Sequence, residues 1–392
     1  MSTLRFNDGA VQFRQRIAVS LISHRPLLIR NIRNSLDDHI GLLPHEASFL
    51  RLIDELTNGS QIEINNTGTQ VKFVPGVIIG GDIHHECPVE PVESQRSVSW
   101  YLEGILPLAP FGKDPLQLNL SGITDGTCEL DPCCDYWKSA LFPLLQAFGI
   151  ATGGELGGGN DRDILSPSSP HLRILRRGAA PLGGGLCEFY CPNIRSTLSS
   201  IDWTHSNDDG TTKVHRIRGL AVSTKLVSTS QTSRVAYAAK GFLHKLLPDV
   251  WIHTDAHSIQ NHQCGPSPSV SLILTAESKC GVVLCSQVSI RPQELPEDLG
   301  LRGAVALCEE IRRGGCVDSS GMQSLALLWM CLTPEDVSRI RFGTLTPYTI
   351  ATLRLLKESL GVEFKVQPDH ETKTVILSCL GTGYRNMARA ST

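Results

Sequence analysis

Residues 176–185 read RRGAAPLGGG. Two arginines run into a turn-prone stretch, and Pro181 stands two residues ahead of three glycines. Glycine has no Cβ, so it permits tight turns and close backbone approach. Glycine-rich loops beside basic residues also hold anions through their backbone N–H groups. The stretch therefore has two readings: an anion site beside Arg176 and Arg177, or a tight crossing between two parts of the fold. The segments on either side bear on which is right.

Three of those segments share a pattern: FLRLIDELTNGSQIEI (49–64), LFPLLQAFGIATGGEL (141–156) and TLRLLKESLGVEFKV (352–366). Each places apolar residues at helical spacing, then a glycine as helix stop (Gly59, Gly149, Gly361), then an expected strand. Earlier apolar helices, FRQRIAVSLIS (13–23) and VSWYLEGILPLA (98–109), precede two of them and run into LLIRNI and LQLNL. SLALLWMCL (324–332) opens a third copy. A helix–strand–helix–strand unit is thus expected three times. Between the second and third copies the character changes. Strands are expected at 216–224, 250–255 and 269–278, a helix at 233–247 and a polar loop at 204–212. We expect an α/β fold: a large domain, 1–185 and 287–392, with a smaller α/β domain, 186–286, inserted after Gly185 at the glycine crossing. GGELGGGNDRDILSPSSP (153–170) reads as a surface loop and GTGYRNMARAST (381–392) as a frayed tail.

At 392 residues the chain exceeds one typical domain, and 41% hydrophobic with 19% charged residues is ordinary globular composition. The net charge of −3 gives no overall attraction for nucleic acid, so any RNA contact must come from local basic patches. Thirteen cysteines form no regular framework, which points to free thiols in a reducing compartment. MSTLRFNDGA lacks a signal-peptide apolar region, and the longest apolar run, LALLWMCL (325–332), is too short to span a bilayer. A soluble intracellular protein, cytosolic or nuclear, is expected.

RRGAAPLGGG matches the RRGxxPxGGG signature of the RNA 3′-terminal phosphate cyclase family, and the chain resembles that family over nearly its whole length. VKFVPGVIIGG (71–81) is similar to a family strand–turn, and EEIRRGGCVDSSGMQSLALL (309–328) sits where the family has its third repeat. EASFLRLIDELTNGSQIEINNTGT (46–69), IRRGGCVDS (311–319) and LLPDVWIHTD (246–255) resemble the eukaryotic cyclase-like branch. The resemblance implies three βαβ-type units in pseudo-threefold arrangement with an inserted α/β domain. True cyclases adenylylate a histidine and then activate an RNA 3′-phosphate. Membership of the cyclase-like branch implies a ribosome-assembly factor of the nucleolus. It would work in the small-subunit processome, bound to a GTPase, in pre-rRNA processing.

A nucleotidyl histidine needs a neutral imidazole nitrogen as nucleophile. The family carries it in HTxTN; here the matching stretch is LTPYTIATLRLL (345–356). Leu345 falls at the histidine and Thr349 at the asparagine, and no histidine lies between Arg341 and Gln367. The family's EGGGQ loop reads NDGAV (7–11) ahead of Arg14, with its leading acid and two glycines replaced. Leu36, Asp37 and Asp38 stand where the resemblance places a further arginine, and carboxylates repel phosphate. The expectation is a pseudoenzyme with no catalytic residue, cofactor or metal.

Other constellations have weaker claims. LCEEIRRGGCVD (307–318) offers Asp318 beside Arg312 and Arg313, as a metal-assisted nuclease would need. The favoured reading is a basic turn at a helix C-terminus. The other enzyme alternative is a residual nucleotidyl transferase. His253, His257, His262 and Cys264, and separately His84, His85 and Cys87, have donors for zinc but read better as loops. KVHRIRGLA (213–221) puts Lys213 and His215 on one face of a strand and Arg216 and Arg218 on the other. With Arg14, Arg16, Arg30, Arg33, Arg173, Arg176 and Arg177 it forms a candidate basic surface for an RNA backbone or an acidic protein segment. Aromatics are 6% of residues and are not interleaved with basic ones, so base stacking is not expected.

Overall fold

The computed structural model describes residues 2–35, 39–125, 131–150, 169–194, 197–205, 213–225, 229–257, 263–319, 321–386 and 388. Leu36, Asp37, Asp38, His262, most of the 153–170 and 204–212 stretches, and 387 and 389–392 lie outside them.

The first unit sets the pattern. β1 (Leu4–Phe6) is joined by helix α1 (Phe13–Ser23) to β2 (Leu27–Ile29), parallel to it with Leu4 opposite Leu27. Helix α2 (Pro44–Leu56) begins with proline in its first turn, and Glu46 Oε accepts the Leu43 N–H at 2.9 Å, so a free N-terminal donor is satisfied. α2 stops at Leu56 and runs into β3 (Thr57–Asn58). Gly59 is therefore not the helix stop that its position suggested; with φ 80° it turns the chain into β4 (Gln61–Ile64). β4 forms an antiparallel hairpin with β5 (Val71–Val74), which pairs with β2, giving the order β1-β2-β5-β4.

The second unit repeats this. After β6 (Val77–Ile78), which pairs with β3, come β7 (Gly81–Glu86), α3 (Val98–Ile105), β8 (Leu116–Gly122), α4 (Cys134–Ala147), β9 (His171–Arg176) and β10 (Gly185–Cys191). The order is β7-β8-β10-β9, with the outer pair parallel and the rest antiparallel, as in the first sheet.

The third unit opens with β11 (Asp202–Trp203) and is then interrupted by β12 (Val214–Thr224), α5 (Thr229–Leu243), β13 (Val250–His257), β14 (Ser269–Ser278), β15 (Val283–Ser289) and α6 (Pro296–Arg313). It resumes with α7 (Met322–Leu332), β16 (Val337–Phe342), α8 (Pro347–Leu360), β17 (Lys365–Asp369) and β18 (Thr374–Leu380). Its order, β11-β16-β18-β17, is the same again, and the interrupting strands form their own sheet, β13-β12-β14-β15. The threefold repetition is thus present in the strand order. Every residue of α7 is buried, and Trp329 packs edge-on against Phe148 with ring centroids 5.5 Å apart. Among the described residues no helix is long and apolar enough to cross a membrane.

These pairings place the insertion elsewhere than 186–286. β10 is an interior strand of the second sheet, with Phe189 opposite Leu118 on one side and Leu172 on the other. β11 belongs to the third sheet through Asp202 opposite Arg339. α6 joins the inserted sheet: it packs on α5 and β15, and Glu297 grips Arg234 at 2.6 and 2.8 Å. By strand pairing, and by the packing of α6 on α5 and β15, the inserted segment runs from 214 to 313. A change in composition near 187 marked the chain, but hydrogen bonding between distant strands sets the boundary.

RRGAAPLGGG is the β9–β10 connection within the second sheet, not a passage into the inserted one. A Cβ on Gly178 would stand 2.2 Å from the Gly185 nitrogen, so the two ends of the turn cross without room for a side chain. A Cβ on Gly265 would stand 2.0 Å from the Gly183 carbonyl oxygen, so the turn packs directly on the inserted unit. Leu182 N–H donates to Ser267 Oγ at 3.1 Å across the same seam.

Candidate functional site

Leu345 lies just ahead of α8, half-buried and packed on the core. Thr346 caps the helix by accepting the Thr349 N–H at 3.1 Å, and Thr349 Oγ1 donates to Gln323 Oε1 at 2.6 Å. Two residues on from the cap, Tyr348 reaches across to α3, where its hydroxyl donates to Glu103 Oε1 at 2.6 Å. α1 completes the cluster. Arg14 Nη1 is 2.8 Å from Glu103 Oε2, and Gln15 Nε2 donates to Glu103 Oε1 at 3.1 Å and contacts the Tyr348 hydroxyl. The Arg14 guanidinium also lies 4.5 Å from the Trp100 ring centroid.

The electrostatics follow from burial. Burial alone would lower the Arg14 pKa, but the Glu103 carboxylate outweighs it and holds Arg14 above its ordinary value. Burial, then Glu103, pushes the Tyr348 phenol far up, so it stays a neutral donor. Donors of α1 that could meet a phosphate are thus turned on one carboxylate. The cavity beside Gln15, Glu103 and Thr352 is about 20 Å³, room for one water. Small-molecule sites are generally several hundred Å³.

Arg177, the residue just after β9, is buried rather than presented to an anion. Its Nη1 lies 2.7 Å from Asp135 Oδ2 in the first turn of α4 and 3.4 Å from Asp125 Oδ1, and Nη2 lies 3.2 Å from Asp135 Oδ1. Nε donates to His257 Nε2 on β13 at 3.0 Å. The main chain adds Arg177 N–H to Gln263 O at 3.0 Å and Gly265 N–H to Arg177 O at 2.7 Å. The residue clamps the second unit to the inserted one. Its guanidinium is neutralised internally, which corrects the expectation of an anion site at Arg177.

Two carboxylates share that one guanidinium. Burial, opposed by Arg177 and reinforced by Asp135, raises Asp125 to about 6. A carboxyl raised on folding keeps its proton in the folded state at a pH where the unfolded chain has released it. Its contribution is therefore fully present below pH ~4 and is lost as pH rises to about 6. Asp125→Asn should gain on the wild type across that window, by ~1–3 kcal/mol at pH 7 relative to pH 4. Paired urea titrations at the two pH values measure this, and a gap independent of pH would contradict it.

The other basic candidates divide by environment. Arg16 is buried, with Nη2 2.6 Å from Asp8 Oδ2, Nη1 donating to Gly9 O at 3.0 Å and the Phe6 ring 4.1 Å away. Arg216 pairs with Glu277 at 2.6 Å, Arg218 binds Asp249 with both terminal nitrogens at 2.8 and 3.1 Å, and Arg313 pairs with Glu310 at 2.9 Å. Arg176, Lys213 and Arg312 are exposed. One continuous basic face is not what these residues make: Arg14, Arg16 and Arg177 turn inward, and Arg216, Arg218 and Arg313 each meet a carboxylate. Asp318 is buried and accepts the Tyr136 hydroxyl, whereas Arg312 faces solvent, so the pair does not form a metal-assisted nuclease centre. His84 and His253 are exposed, His85 Nε2 is 2.8 Å from Ser48 Oγ, and Cys264 Sγ accepts the Lys225 N–H at 3.3 Å. Among the described residues no group of three His, Cys, Asp or Glu could hold a metal ion.

Sequence reasoning missed Glu103, Tyr348, Gln15, Asp125 and Asp135. One signal was available: Glu103 is the only charged residue of the apolar helix VSWYLEGI. A buried carboxylate there needs partners.

The sequence that builds these three like-ordered sheets and the inserted fourth is matched by a family profile. The profile described as RNA 3′-terminal phosphate cyclase covers residues 6–366, and the chain belongs to that family. Within it the chain is similar to the cyclase-like proteins. It is 42% identical to the probable RNA 3′-terminal phosphate cyclase-like protein of Dictyostelium discoideum, over 98% of this chain and 99% of that one. Identity is also 42% to the RNA 3′-terminal phosphate cyclase-like protein of Homo sapiens, over 97% and 96%. It is 36% identical to the rRNA processing protein rcl1 of Schizosaccharomyces pombe, over 99% of each.

Proposed function

We propose that this protein is a non-catalytic factor in ribosomal RNA processing. It acts in the nucleolus on the way to small-subunit rRNA, as part of the small-subunit processome and bound to a ribosome-assembly GTPase. The observation that carries the reading is Leu345 at the nucleotidyl-histidine position in a chain similar along its full length to cyclase-like and rRNA-processing relatives. Leucine has no lone pair to attack an α-phosphate, and Arg14 and Gln15 are engaged by Glu103. What remains is a rigid scaffold whose surfaces can bind. No observation favours the nuclease alternative, because Asp318 is enclosed.

The test is purification of tagged protein from its native cells. A ribosome-assembly GTPase and small-subunit pre-rRNA are expected to accompany it; recovery of neither would overturn the reading. In parallel, incubation with α-labelled ATP and a divalent metal should leave no covalent label. A labelled band would make the protein an enzyme.

A further inference from the structure

The inserted unit leaves two aromatic side chains open to solvent. The inner side of α5 buries Val235, Ala236, Ala239 and Leu243, so polar residues are expected opposite. Tyr237 instead stands there, 82% exposed. Lys240, one helical turn on, lies on the same side. Its Nζ is 5.7 Å from the ring centroid of Trp251, the second residue of β13, which is 63% exposed. Two carboxylates of this region are matched, Asp249 by Arg218 and Glu297 by Arg234, while Asp255 lies 2.8 Å from His257 Nε2. Lys240 and Lys245 have no ion-pair partner among the described residues, so two cations stand here against the one carboxylate of Asp255.

We propose that Tyr237, Lys240 and Trp251 form a stacking platform for single-stranded RNA. This deepens the rRNA-processing reading and rests on it. Open aromatic faces accept any unpaired base, and a neighbouring ammonium neutralises the phosphate that the base carries with it. The residues are far apart from the basic stretches of the sequence and meet only because α5 packs on β13. The rival occupant is a protein strand added to β13, an edge of its sheet. Unmatched cations beside two exposed rings favour the polyanion.

The full chain is titrated at low salt with a short oligoadenylate, followed by labelled-RNA anisotropy and intrinsic fluorescence. Trp100, Trp137 and Trp329 are buried and Trp203 is half-buried, so Trp251 is the tryptophan open to a base. Binding should quench it. Trp251→Ala and Tyr237→Ala should each weaken binding ~10-fold or more, as loss of one stacked base does. Trp251→Phe should keep binding while losing the quench, and Lys240→Gln should reduce the salt slope by about one. Both rings are exposed, so melting should not change. No binding by the wild type, or equal binding by Trp251→Ala, overturns the platform. Unchanged RNA affinity with loss of a co-purifying protein also overturns it and assigns the face to a protein. If pre-rRNA still accompanies a wild type that binds no oligoadenylate, the platform fails and the processing role stands.

Discussion

Arg177→Ala is expected to destabilise the protein by about 3–5 kcal/mol, the usual cost of removing one partner from a buried ion pair. The substitution leaves Asp135 and Asp125 facing each other without the guanidinium that lies 2.7 and 3.4 Å from them. Both carboxylates are buried. It also removes the bond to His257, so the seam between the second and inserted units should open more readily. Hydrogen exchange at the Gly265 amide, which donates to the Arg177 carbonyl, is expected to speed up with the loss of global stability or beyond it. Arg176→Ala is the matched control. That side chain is exposed and should cost less than ~0.5 kcal/mol. Urea unfolding of both variants decides the matter. If Arg177→Ala unfolds within ~1 kcal/mol of the control, the clamp is not what holds the seam.

Glu103→Ala should have an effect of the same order, about 3–5 kcal/mol, because it strands the buried Arg14 charge together with the Tyr348 and Gln15 donors. Replacing both charges, Arg14→Met with Glu103→Met, should recover most of that loss, since a well-packed apolar pair avoids the desolvation of two ions. The outcome separates two histories of the cluster. Residues kept for binding a ligand commonly cost stability, so their removal is neutral or stabilising. Residues kept for the fold behave as predicted here. A Glu103→Ala protein as stable as the wild type would mean that the α1–α3–α8 cluster is held ready for a ligand.

Much of the fold was legible in the sequence because helices and strands announce themselves by local period. The 13–23, 324–332 and 352–360 stretches read as helices and formed them within a few residues. Gly361, with φ 71°, ends α8 as its position suggested. Where local reading failed, a distant partner decided the outcome. β10 alternates buried and half-buried residues like any strand, and nothing in GLCEFYC says that its neighbours are β8 and β9. α6 carries no mark of its packing on α5.

For the site, residue identity was legible: the Leu345 side chain has no nucleophilic nitrogen wherever it is placed. The fate of the arginines was not, because a cation's role depends on which carboxylate reaches it. Arg14 meets Glu103, Arg16 meets Asp8 and Arg177 meets Asp135, and burial then makes those contacts obligatory. By itself, then, the sequence determined the repeated unit, the family and that a leucine stands at position 345, since period and identity are local properties. Only the tertiary structure decided where the inserted unit begins, which charges are neutralised, and that Lys240 meets the Trp251 ring. Each of these depends on strand pairing, burial or helix packing between residues that the chain order does not bring together, as with Tyr348 and Glu103, 245 positions apart.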